Sequence, residues 1–367
     1  MSLPAKPKYG ELSWTQYLGI VATLVPLPVV LLWKVVTTYH ASYNKERSVK
    51  RILGDSTLRY SSTNLSVPQL QGLFGTTLGG YQKWATQSSL PPVIDELGED
   101  ARLLWIGLKQ LDRVVLICHG KWCFSIASYW FCLSFWRYVQ TELEKKNIKV
   151  GFALLNYSLA PQAPFPTQLN QARLALEFLF AAGVKPQNLQ LVGDSAGANL
   201  ILQILSQTLH PLERVPKIHF SAPIRGAHLI SPWVSLTADS ASHTENDGVD
   251  FLSKSTAMDW GNQVLAPIPE ADRPFAEAAK APEGWFKGVD RLVDRVLVTA
   301  GGAEVLRDDI VNFGDSFKKH HPNTELVVQK DGLHEDMYLD FLVKEKKLGS
   351  LTPLTVEWLA AGFAVTS

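Results

Sequence analysis

Cysteine is scarce in this chain: Cys118, Cys123 and Cys132 are its three among 367 residues. An odd count at those spacings gives neither a disulfide framework nor a metal-ligand pattern, and small buried hydrophobes explain all three. Net charge is missing too, since 35 Lys and Arg balance 35 Asp and Glu. Without a basic excess there is no electrostatic case for nucleic acid as a partner. No GxGxxG loop, P-loop or HExxH helix is present, so neither a cofactor nor a metal is implied. No internal repeat or low-complexity tract appears, which sets aside repeat architectures. What the chain does have is apolar content, 46% of its residues, enough for one sizeable core.

The most informative pattern is Gly193-Asp194-Ser195-Ala196-Gly197. It follows the apolar run Leu189-Gln190-Leu191-Val192 and opens the helical segment Ala198 to Leu205. Strand, tight turn and helix form the setting in which G-x-S-x-G acts as a nucleophile elbow. Its glycines let strand and helix backbones approach closely around a strained serine. The Ser195 hydroxyl then stands at a helix N-terminus, where dipole and free N–H groups favour developing negative charge.

A nucleophilic serine needs a base, and the base needs an orienting acid. Nine histidines are present, but His334 is the one well downstream in a suitable loop, after the strand-like run 325–329. The acid belongs after the preceding strand, 295–300, where Glu304, Asp308 and Asp309 compete. Glu304 is nearest the strand end, whereas Asp308 suits a helix cap or a salt bridge. The tetrahedral intermediate needs N–H donors. Ala196 supplies one, and the loop after strand 113–118, His119-Gly120-Lys121-Trp122, is the candidate for others.

These blocks resemble the hormone-sensitive-lipase-like (fold-3) group of α/β-hydrolases, especially its fungal membrane-bound steryl-acetyl-hydrolase-like members. His119-Gly120 matches the start of the group's HGGG motif. Asn156-Tyr157-Ser158-Leu159-Ala160-Pro161 with Pro164-Phe165-Pro166 matches its Y-x-L-A-P…F-P signature. The elbow follows, then Glu304-Val305-Leu306-Arg307-Asp308 and Gly332-x-His334. The match covers roughly residues 55 to 365. Two departures stand out: Glu304 replaces the usual Asp, and Lys121 and Trp122 replace the second and third glycines of HGGG. Gly120 and Lys121 retain backbone N–H groups, while Trp122 could narrow an acyl pocket.

From Leu12 to Trp33 no charged residue occurs, long enough for one helical bilayer crossing. Trp14, Tyr17, Trp33 and Tyr39 flank it as interfacial aromatics would, and Pro26 and Pro28 argue for a kink or a shallow re-entrant hairpin. Lys6 and Lys8 precede the segment, and Lys34, Lys45, Arg47, Lys50 and Arg51 follow it. That balance leans toward a cytosolic catalytic domain. The resemblance instead implies an endoplasmic-reticulum anchor, lumenal in some members, and Asn64-Leu65-Ser66 fits the glycosylation sequon. Topology stays open, and nothing fixes an oligomeric state.

The chain divides into an N-terminal transmembrane anchor (1–39), a lead-in or cap segment (40–110) and a catalytic domain (111–367) with a cap insertion at about 237–290. Strand-like runs at 113–118, 147–154, 188–192, 226–230, 295–300 and 325–329 alternate with helical patterns. The expected class is α/β, with a mostly parallel central sheet, helices on both faces and a helical cap. The expected function is serine hydrolysis of an ester of a lipophilic alcohol through Ser195, His334 and Glu304, with Gly120, Lys121 and Ala196 holding the oxyanion. The resemblance implies a short acyl group, such as acetyl on a sterol or terpenoid. The alternatives are an acyltransferase or amide hydrolase on the same triad, and a non-catalytic membrane-bound lipid- or partner-binding module.

Overall fold

A computed structural model of the chain describes residues 9–120 and 127–364. Its strands are β1 (Val93–Gly98), β2 (Ala101–Ile106), β3 (Val114–Cys118), β4 (Gly151–Asn156), β5 (Leu189–Asp194), β6 (Gly226–Ile230), β7 (Val296–Gly301) and β8 (Thr324–Gln329). They form one sheet in the order β1-β2-β4-β3-β5-β6-β7-β8. The pairs β1/β2 and β2/β4 are antiparallel and the rest are parallel. Along β3, Leu116 and Cys118 point into one core, while Val115 and Ile117 point into another. A near-continuous apolar run is what a parallel strand covered on both faces requires.

The helices preceding the sheet are α1 (Trp14–Leu24), α2 (Leu27–Thr38), α3 (Val49–Asn64), α4 (Val67–Phe74) and α5 (Thr77–Gln87). Then follow α6 (Ala127–Lys145), α7 (Thr167–Ala181), α8 (Ala196–Leu209), α9 (Ser242–Glu245), α10 (Lys254–Leu265) and α11 (Arg273–Ala276). The last are α12 (Arg307–Lys318), α13 (Asp336–Val343) and α14 (Leu351–Ala364). Residues of α7, α8 and α12 build the core on one sheet face, and residues of α5, α6, α13 and α14 build the other. Local rules set several boundaries. Ser48, Thr76 and Ser253 cap α3, α5 and α10 by accepting backbone N–H bonds from Arg51, Gly79 and Thr256.

The sheet is mostly parallel with helices on both faces, as the alternation of strand-like and helical runs led us to expect. Two expectations need correction. The stretch 93–106, assigned to the lead-in, is a β-hairpin completing the sheet. Its turn is Glu99-Asp100, both at positive φ, and charged residues there hid the hairpin. β4 also begins later than the apolar run 147–154, because Asn147 and Ile148 still bond back to Glu144 and Leu143 at the end of α6.

α1 and α2 are separated at Val25-Pro26, where the missing proline N–H was expected to kink the segment. α1 rests on α4, and α2 rests on α3. α3 in turn is tied to the catalytic half of the chain. Buried Arg51 bonds Asp55 at 2.7 Å, Asp336 at 2.6 Å and Asp340 at 2.5 Å. Three carboxylates around one guanidinium leave a large uncompensated charge when that partner is lost. Arg51→Ala is therefore expected to destabilise the fold by about 3–5 kcal/mol, read as a fall in the denaturant midpoint.

Candidate active site

The elbow is built by backbones in contact. β5 ends at Asp194 and α8 begins at Ala196, leaving Ser195 alone in the turn at φ 50°, ψ −114°. A non-glycine residue in that region is strained and must be held by its surroundings. Here the Ser195 N–H donates to the Ile230 carbonyl at 2.9 Å, and the Ser195 carbonyl accepts from Trp233 and Asn199 N–H groups at 3.1 Å each. The flanking glycines are there because of space. A Cβ on Gly197 would lie 1.9 Å from the Cys118 carbonyl oxygen, and one on Gly193 would lie 2.5 Å from Gly197 backbone atoms.

His334 lies between β8 and α13, and its Nε2 stands 3.0 Å from Ser195 Oγ. Its Nδ1 is 3.5 Å from Glu304 Oε2, an ion-pair separation longer than an ordinary N–H···O bond. Glu304 follows β7, is fully buried, and accepts a 2.6 Å hydrogen bond from Ser231 Oγ. The Ser231 hydroxyl oxygen also accepts from the Glu335 N–H at 3.1 Å. Asp308 bonds Arg307 and the Ser242 N–H at 2.8 Å each, an ion pair as its position suggested but not a cap of its own helix.

A second carboxylate braces this arrangement. Fully buried Asp250 accepts the His334 N–H at 3.2 Å and the Val305 N–H at 2.9 Å. It thereby joins the loop of the base to the loop of the acid. Burial pushes its carboxyl up to about 7, and the charge of Glu304 adds to that rise. Burial by itself would depress the His334 imidazole. The hydrogen-bonding pull of Glu304 and the charges of Glu335, Glu304 and Asp250 win, raising it to about 9. Glu335 Oε1 lies 3.9 Å from Nε2, on the side facing Ser195.

Of the residues expected from sequence, Ser195, His334 and Glu304 come together, and Ala196 opens α8 beside the nucleophile. Gly120 is a correction. Its N–H donates to Asp194 Oδ2 at 2.7 Å and is committed to holding the elbow rather than an oxyanion. It must be glycine, since a Cβ there would lie 2.3 Å from the Asp194 carbonyl oxygen. Lys121, the other expected donor, lies outside the described residues. Sequence reasoning passed over Ser231, Glu335 and Asp250. Ser231 directly follows an expected strand and Glu335 adjoins His334, but nothing local marked Asp250.

Beside the elbow lies a cavity of about 310 Å³ whose walls include Leu159, Phe165, Ala196, Trp233, Val264 and Ile268. Its lining is mainly apolar, as small-molecule sites usually are. Tyr157, also in its wall, stacks on His119 at 4.5 Å and donates a hydrogen bond to the His119 carbonyl. Among the described residues no group of three or more His, Cys, Asp or Glu side chains is placed to hold a metal ion.

A strained serine between strand and helix, with a histidine on its hydroxyl and a buried acid behind it, is the arrangement a serine nucleophile requires, here on a mostly parallel sheet. The family profile described as alpha/beta hydrolase fold matches residues 145–337, just over half the chain. The chain belongs to that α/β-hydrolase family. It is similar to the Schizosaccharomyces pombe protein mug81, which carries the provisional name steryl acetyl hydrolase, at 28% identity over 53% of this chain and 51% of that one. An acetyl-hydrolase of Streptomyces hygroscopicus is 30% identical over 42% of this chain and 47% of its own. The chain thus spans about half the length of these curated relatives. The crystal structure of an esterase from the bacterial hormone-sensitive lipase family superposes with a TM-score of 0.62 at 21% identity. That likeness covers 86% of this chain and 99% of the other, and it concerns the fold.

Carboxylates favour the imidazolium, so removing one lowers the histidine's pKa. An NMR titration of ¹⁵N-histidine-labelled protein is expected to place the His334 midpoint near 9. Glu335→Gln is expected to move it back toward the ordinary imidazole range. A His334 midpoint at or below about 6.5 in the unmodified chain would contradict this electrostatic account.

Proposed function

We propose that this chain is a membrane-associated serine ester hydrolase acting on a lipophilic ester with a short acyl group. The observation that carries the reading is the 3.0 Å contact between His334 Nε2 and Ser195 Oγ at a strained elbow beside an apolar cavity. Ser195 Oγ attacks the ester carbonyl carbon while His334 Nε2, in the neutral form that grows as pH rises toward about 9, takes its proton, and Glu304 stabilises the imidazolium. The tetrahedral oxyanion is held by the Ala196 N–H together with the loop that contains Lys121. Collapse breaks the ester C–O bond, and the departing alcohol takes the proton from His334. Water, deprotonated by His334, then attacks the acyl-enzyme and releases the acid and Ser195. Asp250 serves as a positioning residue, holding the backbones of base and acid loops in register.

Two observations support a lipophilic substrate: the apolar cavity and the strongly apolar N-terminal helices. The names of the relatives support an acetyl ester, and the mug81 name supports a steryl alcohol. We place the chain at the endoplasmic-reticulum membrane on the family resemblance and the N-terminal helices.

Fluorophosphonate labelling of the full-length chain, with peptide mass spectrometry, tests this directly. We expect an adduct on Ser195 that is lost in His334→Ala. Ser195→Ala is expected to reduce p-nitrophenyl acetate hydrolysis by about 10³-fold or more. Asp250→Asn is expected to lower kcat about tenfold with KM little changed, because it misaligns groups that do not bind the substrate. No adduct in folded protein that admits the probe would sink the hydrolase reading. Acyl transfer to a competing alcohol outrunning hydrolysis would replace it with an acyltransferase.

A further inference from the structure

The N-terminal helices carry an apolar stripe that faces away from the body of the protein. Trp14, Leu18, Val21, Val25, Val29, Leu32 and Val36 recur every three or four residues and are all exposed, between 61% and 85%. The residues turned toward the body, or half covered by it, mix Gln16, Thr23, Lys34 and Thr38 with Ile20, Leu24, Leu27, Leu31 and Val35. A surface helix of a soluble protein keeps that outward face polar. The covered face is fastened at three carbonyls. Gln69 Nε2 bonds the Gln16 carbonyl at 3.0 Å, Tyr60 Oη bonds the Thr23 carbonyl at 2.8 Å, and Asn44 Nδ2 bonds the Thr38 carbonyl at 2.9 Å. Ile20 is buried with Leu65, Val67 and Leu70 of the α3–α4 region.

A helix held this way cannot cross a bilayer by itself. Were α2 to span, α3 would travel with it into hydrocarbon, carrying Lys50, Arg51, Asp55 and Arg59. Each charge at the bilayer centre costs about 3 kcal/mol or more. Lys6 and Lys8 stand before the segment and Lys45, Arg47, Lys50 and Arg51 after it, so both flanks are basic. The exposed stripe has no ionisable side chain, complementing acyl chains, and exposed Lys45 and Lys50 at its end complement anionic headgroups. Trp14, Tyr17, Trp33 and Tyr39 are exposed at both ends, as interfacial residues are.

Building on the membrane association proposed above, we propose that Trp14–Thr38 is an in-plane helix pair. It sinks its stripe into one leaflet and leaves both flanks on the same side. Lying flat also places the cavity close to the lipid. Trp260 packs between the α1–α4 cluster and the main core, and one turn further on Gln263 and Val264 line the cavity. Gln71 of α4 exchanges hydrogen bonds of 3.0 and 3.2 Å with Gln162, next to the lining residue Pro161. The substrate class that fits is therefore an ester dissolved in the leaflet and reached from it.

The test uses full-length chain inserted into sealed microsomes. Glu11→Cys and Lys45→Cys variants are treated with a membrane-impermeant maleimide, and adducts are located by peptide mass spectrometry. Labelling of both positions from one side, with a Val25→Trp variant quenched best by shallowly brominated lipid, is the expected result. Labelling from opposite faces, with deepest-brominated lipid quenching best, would overturn the in-plane arrangement and leave membrane association standing. Failure of the unmodified chain to float with vesicles would overturn the membrane reading itself. So would a soluble dimer that Val25→Glu dissociates. Val25→Glu combined with Leu32→Glu is expected to reduce flotation at least tenfold while hydrolysis of water-soluble p-nitrophenyl acetate stays within twofold.

Discussion

The site depends on three backbones meeting where no side chain fits. β5, the start of α8 and the end of β3 converge at Gly193, Gly197 and Gly120, and each would collide with main-chain atoms if it carried a Cβ. That contact forces Ser195 into a dihedral region a serine otherwise avoids. It also lets Asp194 reach the Gly120 N–H and the Tyr338 hydroxyl. Asp194 is thus a structural acid, anchoring the elbow to the loop before it and the helix behind the base.

His334 sits among carboxylates rather than against one. Glu304 lies behind its Nδ1, Glu335 flanks Nε2, and Asp250 holds its main-chain N–H. The Nδ1 contact with Glu304 is long, so alignment of the ring falls heavily on the loops that carry the two residues. Those loops are fixed by Asp250, by Ser231 and by the α3 arginines. Arg51 reaches Asp336 and Asp340 just beyond His334, while Arg59 holds the Asp250 carbonyl at 2.7 Å.

Much of this could be read from sequence because chemistry and spacing coincide at the elbow. Glycines flanking a serine between an apolar run and a helix leave few other structures open. His334 and Glu304 followed from strand ends, which sheet periodicity locates well. The hairpin 93–106 escaped because its turn is charged rather than glycine-rich. Gly120 was misassigned because HGGG-like spacing marks a loop without saying which N–H faces the nucleophile. Asp250 and the arginine cluster were invisible for a different reason. Their partners lie 84 and about 285 residues away, and only the folded chain brings them together. The N-terminal segment was rightly seen as apolar, but which face its polar residues occupy depends on α3 and α4.

Asp250 gives the segment between β6 and β7 a second duty. The same stretch that walls the cavity through Val264 and Ile268 also ties down the two loops bearing Glu304 and His334. In many scaffolds a lid can be exchanged like a fitting, altering substrate choice while the engine beneath is untouched. Here the fitting carries one of the engine's bolts. A chimera that imports another lid must also import an acceptor for both main-chain N–H groups, or it will trade selectivity for an unsteady base.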